Sequence, residues 1–200
     1  MSSLVEIEKT LSLITDKNTC HSYLPLYDEL LLKKKETAKN VLEVGICFGG
    51  SIELWSKYFS SATVWAMDIL NYARIPQLLK DKENIKLILG DAYSPFLFSA
   101  VFRNTKFDFI IDDGPHTLES QIKFLSMYSL LLEDDGILVI EDIECFDYIE
   151  LFKMNTPDHL KQFIKVFDLR GNKGRYDDIV FVIDKSDNSV KSQINNVGDY

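Results

Sequence analysis

The chain has 200 residues, 46% of them hydrophobic and 26% charged. That balance suits one globular domain with a sizeable core and excludes a disordered chain. Its 31 acidic and 22 basic residues give a formal charge of −9, which argues against a broad phosphate-binding surface and so against nucleic acid as a partner. The cysteines Cys20, Cys47 and Cys145 are odd in number and form no C-x-x-C, so neither a disulfide framework nor a zinc cluster is expected, and a reduced, cytoplasmic setting is. The opening M-S-S-L-V-E-I-E-K-T carries early acids and no long apolar run, unlike a signal peptide. No stretch approaches the roughly 20 apolar residues that span a bilayer, so no membrane association is expected.

In chain order, residues 1–36 read as an N-terminal helical cap segment. The Lys33-Lys34-Lys35 run within it reads as a solvated helix end. Short β-rich runs follow at Val41–Val44, Thr63–Met67, Ile85–Leu89, Phe107–Ile111, Ile137–Ile140, Phe163–Phe167 and Ile179–Ile183. Helical patterns fill most gaps. One begins near Ser51, and another runs from Thr117 to Leu132 with Leu118, Ile122, Leu125, Tyr128, Ser129 and Leu132 on one stripe. This alternation predicts an α/β fold with a seven-stranded, mostly parallel sheet and helices on both faces. G-N-K-G-R-Y-D between the last two strands is too short for a crossover helix and suits a C-terminal antiparallel hairpin. Residues 37–184 therefore read as the main domain and 185–200, rich in Asn and Ser, as a polar tail.

In such a sheet a ligand binds beyond the carboxyl ends of the strands. The first strand runs into G-I-C-F-G-G-S, where Gly45, Gly49 and Gly50 permit a sharp turn and a close approach, and a helix starting near Ser51 would present free N–H groups. The spacing is not the dinucleotide G-x-G-x-x-G. Glu43, just before the turn, would repel a pyrophosphate but accept hydrogen bonds from an ammonium. Asp68 at the end of the second strand stands where an acid grips ribose hydroxyls, and Asp91 after the third could meet an adenine amino group. Together these acids outline a cationic nucleoside ligand.

A second acidic group sits further along. Asp112 and Asp113 end the fourth strand, and Glu141 and Asp142 end the fifth. Ends of adjacent parallel strands share one rim, and crowded carboxylates there cost energy unless a cation neutralises them. An all-oxygen set suits a hard divalent ion such as Mg2+, whereas zinc would call for more His or Cys. His116, just past Asp113, has a side chain whose reference pKa of about 6.5 suits removal of a hydroxyl proton near neutrality. The alternative reading of His116 is a cap for the helix that follows. His159 reads as solvated.

L-E-V-G-I-C-F-G-G-S, A-M-D-I and L-G-D-A resemble the cofactor motifs of class I S-adenosylmethionine-dependent methyltransferases, over about residues 40–184. The resemblance implies a Rossmann-like methyltransferase fold. It gives Glu43, Gly45, Gly49 and Ser51 to the methionine part of the cofactor, Asp68 to the ribose, Asp91 and Ala92 to the adenine, and Asp112 to a supporting role. The D-D-G-x-H and E-D pair narrows the likeness to metal-dependent sugar O-methyltransferases of the macrocin and mycinamicin type. By that match Asp113, Glu141 and Asp142 hold the metal and His116 is the base with Asp113 beside it; T-D-K-N-T-C-H-S-Y-L-P-L-Y resembles the family's N-terminal segment, by which His21, Tyr23 and Tyr27 cover the cofactor. On composition alone Tyr23 and Tyr27 are equally a packed helix face, and Arg175, Asp177 and Asp178 are equally turn residues or rim contacts. Pro115 stands where the family commonly has Ser.

The expected activity is Mg2+-dependent transfer of a methyl group from S-adenosylmethionine to a sugar hydroxyl of a glycan or glycosylated small molecule. Methylation of a catechol-type or other small diol is the alternative; RNA 2′-O-methylation and a non-catalytic binding module fit less well. A weaker implication of the resemblance is a homo-oligomer.

Overall fold

The computed structural model describes residues 2–187. Seven strands form one sheet: β1 Asn40–Val44, β2 Thr63–Asp68, β3 Ile85–Leu89, β4 Phe107–Asp112, β5 Leu132–Ile140, β6 Ile164–Asp168 and β7 Ile179–Asp184. The helices are α1 Leu4–Glu8, α2 Tyr23–Leu31, α3 Gly50–Tyr58, α4 Gln77–Lys80, α5 Pro95–Phe102, α6 Leu118–Tyr128, α7 Tyr148–Asn155 and α8 Arg170–Lys173. The strand order is β3-β2-β1-β4-β5-β7-β6. β1 to β5 pair in parallel, and β7 lies antiparallel between β5 and β6. The expected α/β architecture with its antiparallel end is therefore the one observed. Among the described residues no helix is long and apolar enough to cross a membrane.

Alternation along the strands builds two cores. Val41, Phe109, Ile111 and Val139 face one side, under Leu24, Tyr27, Ile52 and Trp55 of α2 and α3. Leu42, Val44, Ile110 and Ile140 face the other, under Phe102, Phe124, Tyr128 and Phe152 of α5, α6 and α7. Leu4 of α1 belongs to the first core, so the N-terminal segment is packed into the domain.

Two local expectations are corrected. The stripe from Thr117 does not stay helical to Leu132. α6 ends at Tyr128, a 3-10 turn carries Ser129–Leu131, and Leu132 opens β5 opposite Phe107 before a register shift to Ile137 opposite Phe109. Sheet pairing there outcompetes the helical period. Lys34 is not solvated. It is buried, 2.6 Å from Asp135 Oδ1 and 3.6 Å from Asp108 Oδ1. Of the expected polar tail, 188–200 lie outside the described residues. Lys185 instead bonds back to the sheet, its N–H donating to Gly136 O at 3.1 Å and its Nζ to Glu133 O at 2.6 Å.

The strand order reverses between β1 and β4, and the functional rim is built there. Met67 pairs with Val44, Val44 with Asp112 and Asp112 with Ile140. The next residue on each strand is Asp68, Gly45, Asp113 and Glu141, so these stand in one row across the sheet. The crossing is tight. Gly45 has φ +105°, and a Cβ there would lie 2.0 Å from Asp113 O. Gly45→Ala is therefore expected to destabilise the fold by about 3 kcal/mol, from strain and overpacking together, as read by urea denaturation.

Candidate functional site

A cavity of about 510 Å3 opens beside Gly45. Of the residues expected to hold a cofactor, Gly45, Asp68, Asp91 and Ala92 line it, with Asp113, Gly114 and Pro115 on the far wall. Asp68 braces the glycine turn. Its Oδ2 accepts from Ile46 N at 2.7 Å and Cys47 N at 3.3 Å, and its Oδ1 from Leu70 N at 3.0 Å. Asp91 Oδ1 accepts from Tyr93 N at 2.9 Å. Both acids thus have a fixed orientation and keep lone pairs for a ligand.

Glu43, Gly49, Ser51, Asp112, Tyr23 and Tyr27 do not line this cavity. Gly49 and Gly50 start α3, but the N-terminal segment lies across them: a Cβ on Gly50 would meet Ile14 O at 2.1 Å. Glu53 of α3 fastens that segment, its Oε2 accepting from Ser12 N and Leu13 N at 2.9 Å each. The first turn of α3, Ser51 included, is therefore covered by its own chain. Asp112 is buried, its Oδ1 accepts from the Tyr93 hydroxyl at 2.8 Å, and burial pushes its carboxyl up to about 8.

The largest departure from expectation is Lys17, which the sequence pattern did not single out. It is 1% exposed. Its Nζ lies 3.2 Å from Glu43 Oε1, donates to Asp113 Oδ2 at 2.8 Å and donates to Glu141 Oε2. Glu43 was expected to meet an ammonium, and it does, but the ammonium is the chain's own. Its other oxygen accepts from Trp55 Nε1 at 3.0 Å. Burial disfavours the charge on Lys17, but Asp113, Glu141 and Glu43 outweigh it and hold the ammonium well above the usual lysine value. One ammonium does not offset the burial of several carboxylates. Burial thus pushes Glu43 up to about 7 and Glu141 well above the usual carboxylate range, with Lys17 pulling both down.

α2 supplies the next row of donors. Tyr27 OH donates to Glu141 Oε1 at 2.6 Å, and Tyr23 OH to Asp142 Oδ1 at 2.5 Å. Their i,i+4 spacing puts both hydroxyls on one helix face. Tyr23 and Tyr27 are 1% and 0% exposed, so they hold the acids from beneath and do not cover the cavity. His21 stacks on Tyr23 and places Nδ1 2.6 Å from Asp178 Oδ1 and 3.3 Å from Asp142 Oδ1. Arg175 closes its own loop as a two-contact pair with Asp177.

His116 follows the cavity-lining Pro115 and has a half-buried side chain. Thr117, not His116, caps α6 by accepting from Ser120 N. His116 Nε2 lies 3.7 Å from Asp113 Oδ1 and 3.5 Å from Asp142 Oδ2, longer than ordinary hydrogen bonds. Asp113, His116 and Asp142 each offer a ligand atom within 4.8 Å of the others. Glu141, expected beside Asp113 and Asp142, groups instead with Glu43 and Asp113, and its oxygens accept from Lys17 and Tyr27. Cys47, His116 and Asp142 have φ of 45°, 57° and 51°, left-handed backbone in residues with a Cβ, all on this rim. Such conformations cost about 1–3 kcal/mol each and persist where the surroundings enforce them.

No family model matches the chain. Over 144 residues it is 25% identical to the 8-demethyl-8-alpha-L-rhamnosyl tetracenomycin-C 2'-O-methyltransferase of Streptomyces olivaceus, covering 65% of this chain and 35% of that protein. Over 146 residues it is 27% identical to the demethylmacrocin O-methyltransferase of Streptomyces fradiae, covering 68% and 35%. The chain thus spans about a third of the length of the curated relatives it matches. Among solved structures it is similar to the MycE methyltransferase of the mycinamycin biosynthetic pathway, in complex with Mg, SAH and mycinamycin VI. The TM-score is 0.71 at 19% identity, over 92% of this chain and 54% of that one. The chain accordingly has the Rossmann-like methyltransferase fold, and in sequence it resembles the sugar O-methyltransferases.

Proposed function

We propose that the chain is an S-adenosylmethionine- and Mg2+-dependent O-methyltransferase that methylates a sugar hydroxyl of a glycosylated small molecule or glycan. One observation carries the reading. The close contact of Gly45 with Asp113 at the strand-order reversal sets a nucleoside-sized cavity directly against a carboxylate–histidine cluster. The similarity to sugar O-methyltransferases supports the acceptor class.

The cavity suits the donor's nucleoside. Asp68 stands at the end of β2 for the ribose hydroxyls, and Asp91 and Ala92 after β3 for the adenine. The negative rim favours a sulfonium and repels free phosphate. Asp113 and Asp142, whose carboxylates flank His116, would hold a hard cation there. When bound, the donor supplies an activated methyl group and the ion stabilises negative charge on an acceptor oxygen.

His116 takes the proton from the acceptor hydroxyl at Nε2. A bound donor would supply the methyl carbon for the new oxygen–carbon bond, its sulfur keeping the electron pair of the carbon–sulfur bond that breaks. Asp113 and Asp142 flank the imidazole and stabilise the imidazolium that results. The packed segment over α3 and the turn at Gly114 hold these groups on rigid elements, which limits the motion that would misplace the base.

Two measurements test the reading. Asp91→Ala is expected to weaken S-adenosylmethionine binding by about 10–100-fold in calorimetry, the worth of a charged hydrogen bond, with thermal stability unchanged. Wild type that binds no donor at millimolar concentration refutes the assignment. His116→Ala is expected to lower turnover of a glycosylated acceptor by about 10²–10⁴ while donor affinity holds. Chelator is expected to abolish turnover of the wild type. Catechol acceptors turning over faster than glycosides would transfer the assignment to planar diols.

A further inference from the structure

Nothing in the sequence pattern marks Tyr93, yet its side chain joins two parts of the site. It follows Asp91 and Ala92 after β3 and lines the cavity with them. Its N–H donates to Asp91 Oδ1 at 2.9 Å, and its hydroxyl crosses to the end of β4, donating to Asp112 Oδ1 at 2.8 Å. Burial and the Asp112 charge hold the phenol far above its ordinary value, so it serves there as a donor. Ser120, in the first turn of α6, also hydrogen-bonds the phenol. Asp112 opens the run Asp112-Asp113-Gly114-Pro115-His116. Gly114, at the centre of that run, lies against the same hydroxyl: a Cβ there would stand 2.3 Å from Tyr93 Oη and 3.1 Å from Asp112 Oδ1.

We infer that Tyr93 is a positioning residue whose hydroxyl, through Asp112 and Gly114, fixes the turn of residues 112–116 and so sets where His116 stands against the donor cavity. This rests on the proposed function. The turn matters because the imidazole has little else to hold it. His116 Nδ1 is buried with no hydrogen-bond partner among the described residues. The acids beside Nε2 lie at 3.5 and 3.7 Å, beyond ordinary hydrogen bonds. The backbone of His116 is left-handed at φ 57°, a conformation that persists where the surroundings enforce it. The ring is therefore placed by its backbone, and that backbone by its anchors. On one side Asp113 N donates to Val44 O at 2.8 Å, and on the other Thr117 caps α6. Between these anchors the Tyr93 hydroxyl holds the Asp112 carboxyl and packs on Gly114. The same residue forms part of the cavity wall beside Asp91 and Ala92, so the base is tied to the pocket that takes the adenine. A misplacement of about 1 Å can cost about 10²-fold in rate, so the hydroxyl bears on the transfer step while the ring serves the wall.

The test reads the base directly. The chain has three histidines, His21, His116 and His159, so protein labelled with 13C-histidine gives three imidazole Hε1–Cε1 signals, and the one lost in His116→Ala belongs to His116. Spectra are recorded at one pH, without metal, donor or acceptor. Tyr93→Phe keeps the ring and removes the hydroxyl. It is expected to shift and broaden the His116 signal, to leave those of His21 and His159 in place, and to leave the affinity for S-adenosylhomocysteine unchanged in calorimetry. Asp112→Asn, which keeps an oxygen to accept from the phenol, is expected to retain the wild-type His116 signal. A merely structural role for the hydroxyl would move all three signals together, or lower the melting temperature and move none, and either result overturns the inference. Loss of S-adenosylhomocysteine affinity in Tyr93→Phe also overturns it, because the hydroxyl would then shape the cavity and not the turn. So does an Asp112→Asn spectrum that matches Tyr93→Phe, which would remove Asp112 as the route. Wild type that binds no S-adenosylhomocysteine refutes the proposed function itself, a result distinct from any of these.

Discussion

A buried ammonium among buried carboxylates is the contact on which the rest of this structure depends. Lys17 meets Glu43, Asp113 and Glu141, which come from three adjacent strands. Parallel strands bring their carboxyl ends to one rim whether or not the charges there are compatible. In this chain the register stacks Asp113 and Glu141 in one row, and Glu43 points to the same side from β1. Removing one partner of such a buried pair typically costs about 3–5 kcal/mol, because it strands the other charge without solvent. The lysine thus ties the N-terminal segment to the sheet more specifically than its apolar contacts do. Leu4, Leu24 and Leu31 could pack in several registers, whereas the ammonium has one place to go.

That anchoring explains how the segment shapes the site. With Lys17 fixed, residues 12–15 cross the start of α3 and Glu53 caps their amides. α2 follows in a position where Tyr23 and Tyr27 reach Asp142 and Glu141. The hydroxyls can act only as donors there, since burial and the neighbouring acids hold both phenols far above their ordinary values. His21 completes the layer by bridging Asp178 and Asp142. A segment that composition alone would describe as a cap is therefore an electrostatic underlay for the rim.

The fold was legible because its signals are local and repetitive. Each strand was visible as a β-branched run, and the final strand pair was visible from the short connection between β6 and β7. The helix that runs short of Leu132 was misread for a non-local reason: Leu132 keeps the helical period but gains more by pairing with Phe107. Among the residues that line the cavity or the carboxylate–histidine cluster, Gly45, Asp68, Asp91, Asp113 and His116 were legible because strand ends and glycine turns mark them. Lys17 was not. A lysine between Asp16 and Asn18 looks like any solvated loop residue, and Lys34 in a run of three looks like any helix end. Both are buried by partners far along the chain, Asp113, Glu141, Asp108 and Asp135. The available clue was indirect. A rim with Glu43, Asp112, Asp113, Glu141 and Asp142 requires counter-charge, and the chain's own basic residues are the first place to seek it.

The same electrostatic requirement sorts the acids into two classes. Glu43 and Glu141 turn inward, have no exposure, and are matched by donors of this chain. Asp68, Asp91 and Asp113 turn outward to the cavity, where the donors that reach Asp68 and Asp91 are backbone amides. An acid held by backbone amides keeps its direction without a cationic partner, so these carboxylates stay turned to the cavity. An acid matched by lysine contributes little field of its own at a distance. The negative potential is therefore strongest at the rim and reduced beneath it. That distribution draws cationic ligands to the mouth while sparing the core the repulsion that an unpaired cluster would impose. It also gives Asp142 a distinctive place. Tyr23 and His21 hold it on one side and His116 on the other, at a residue whose backbone is already left-handed. Inner network and outer cluster meet at that carboxylate, so the placement of His116 is coupled to the packing of the N-terminal segment.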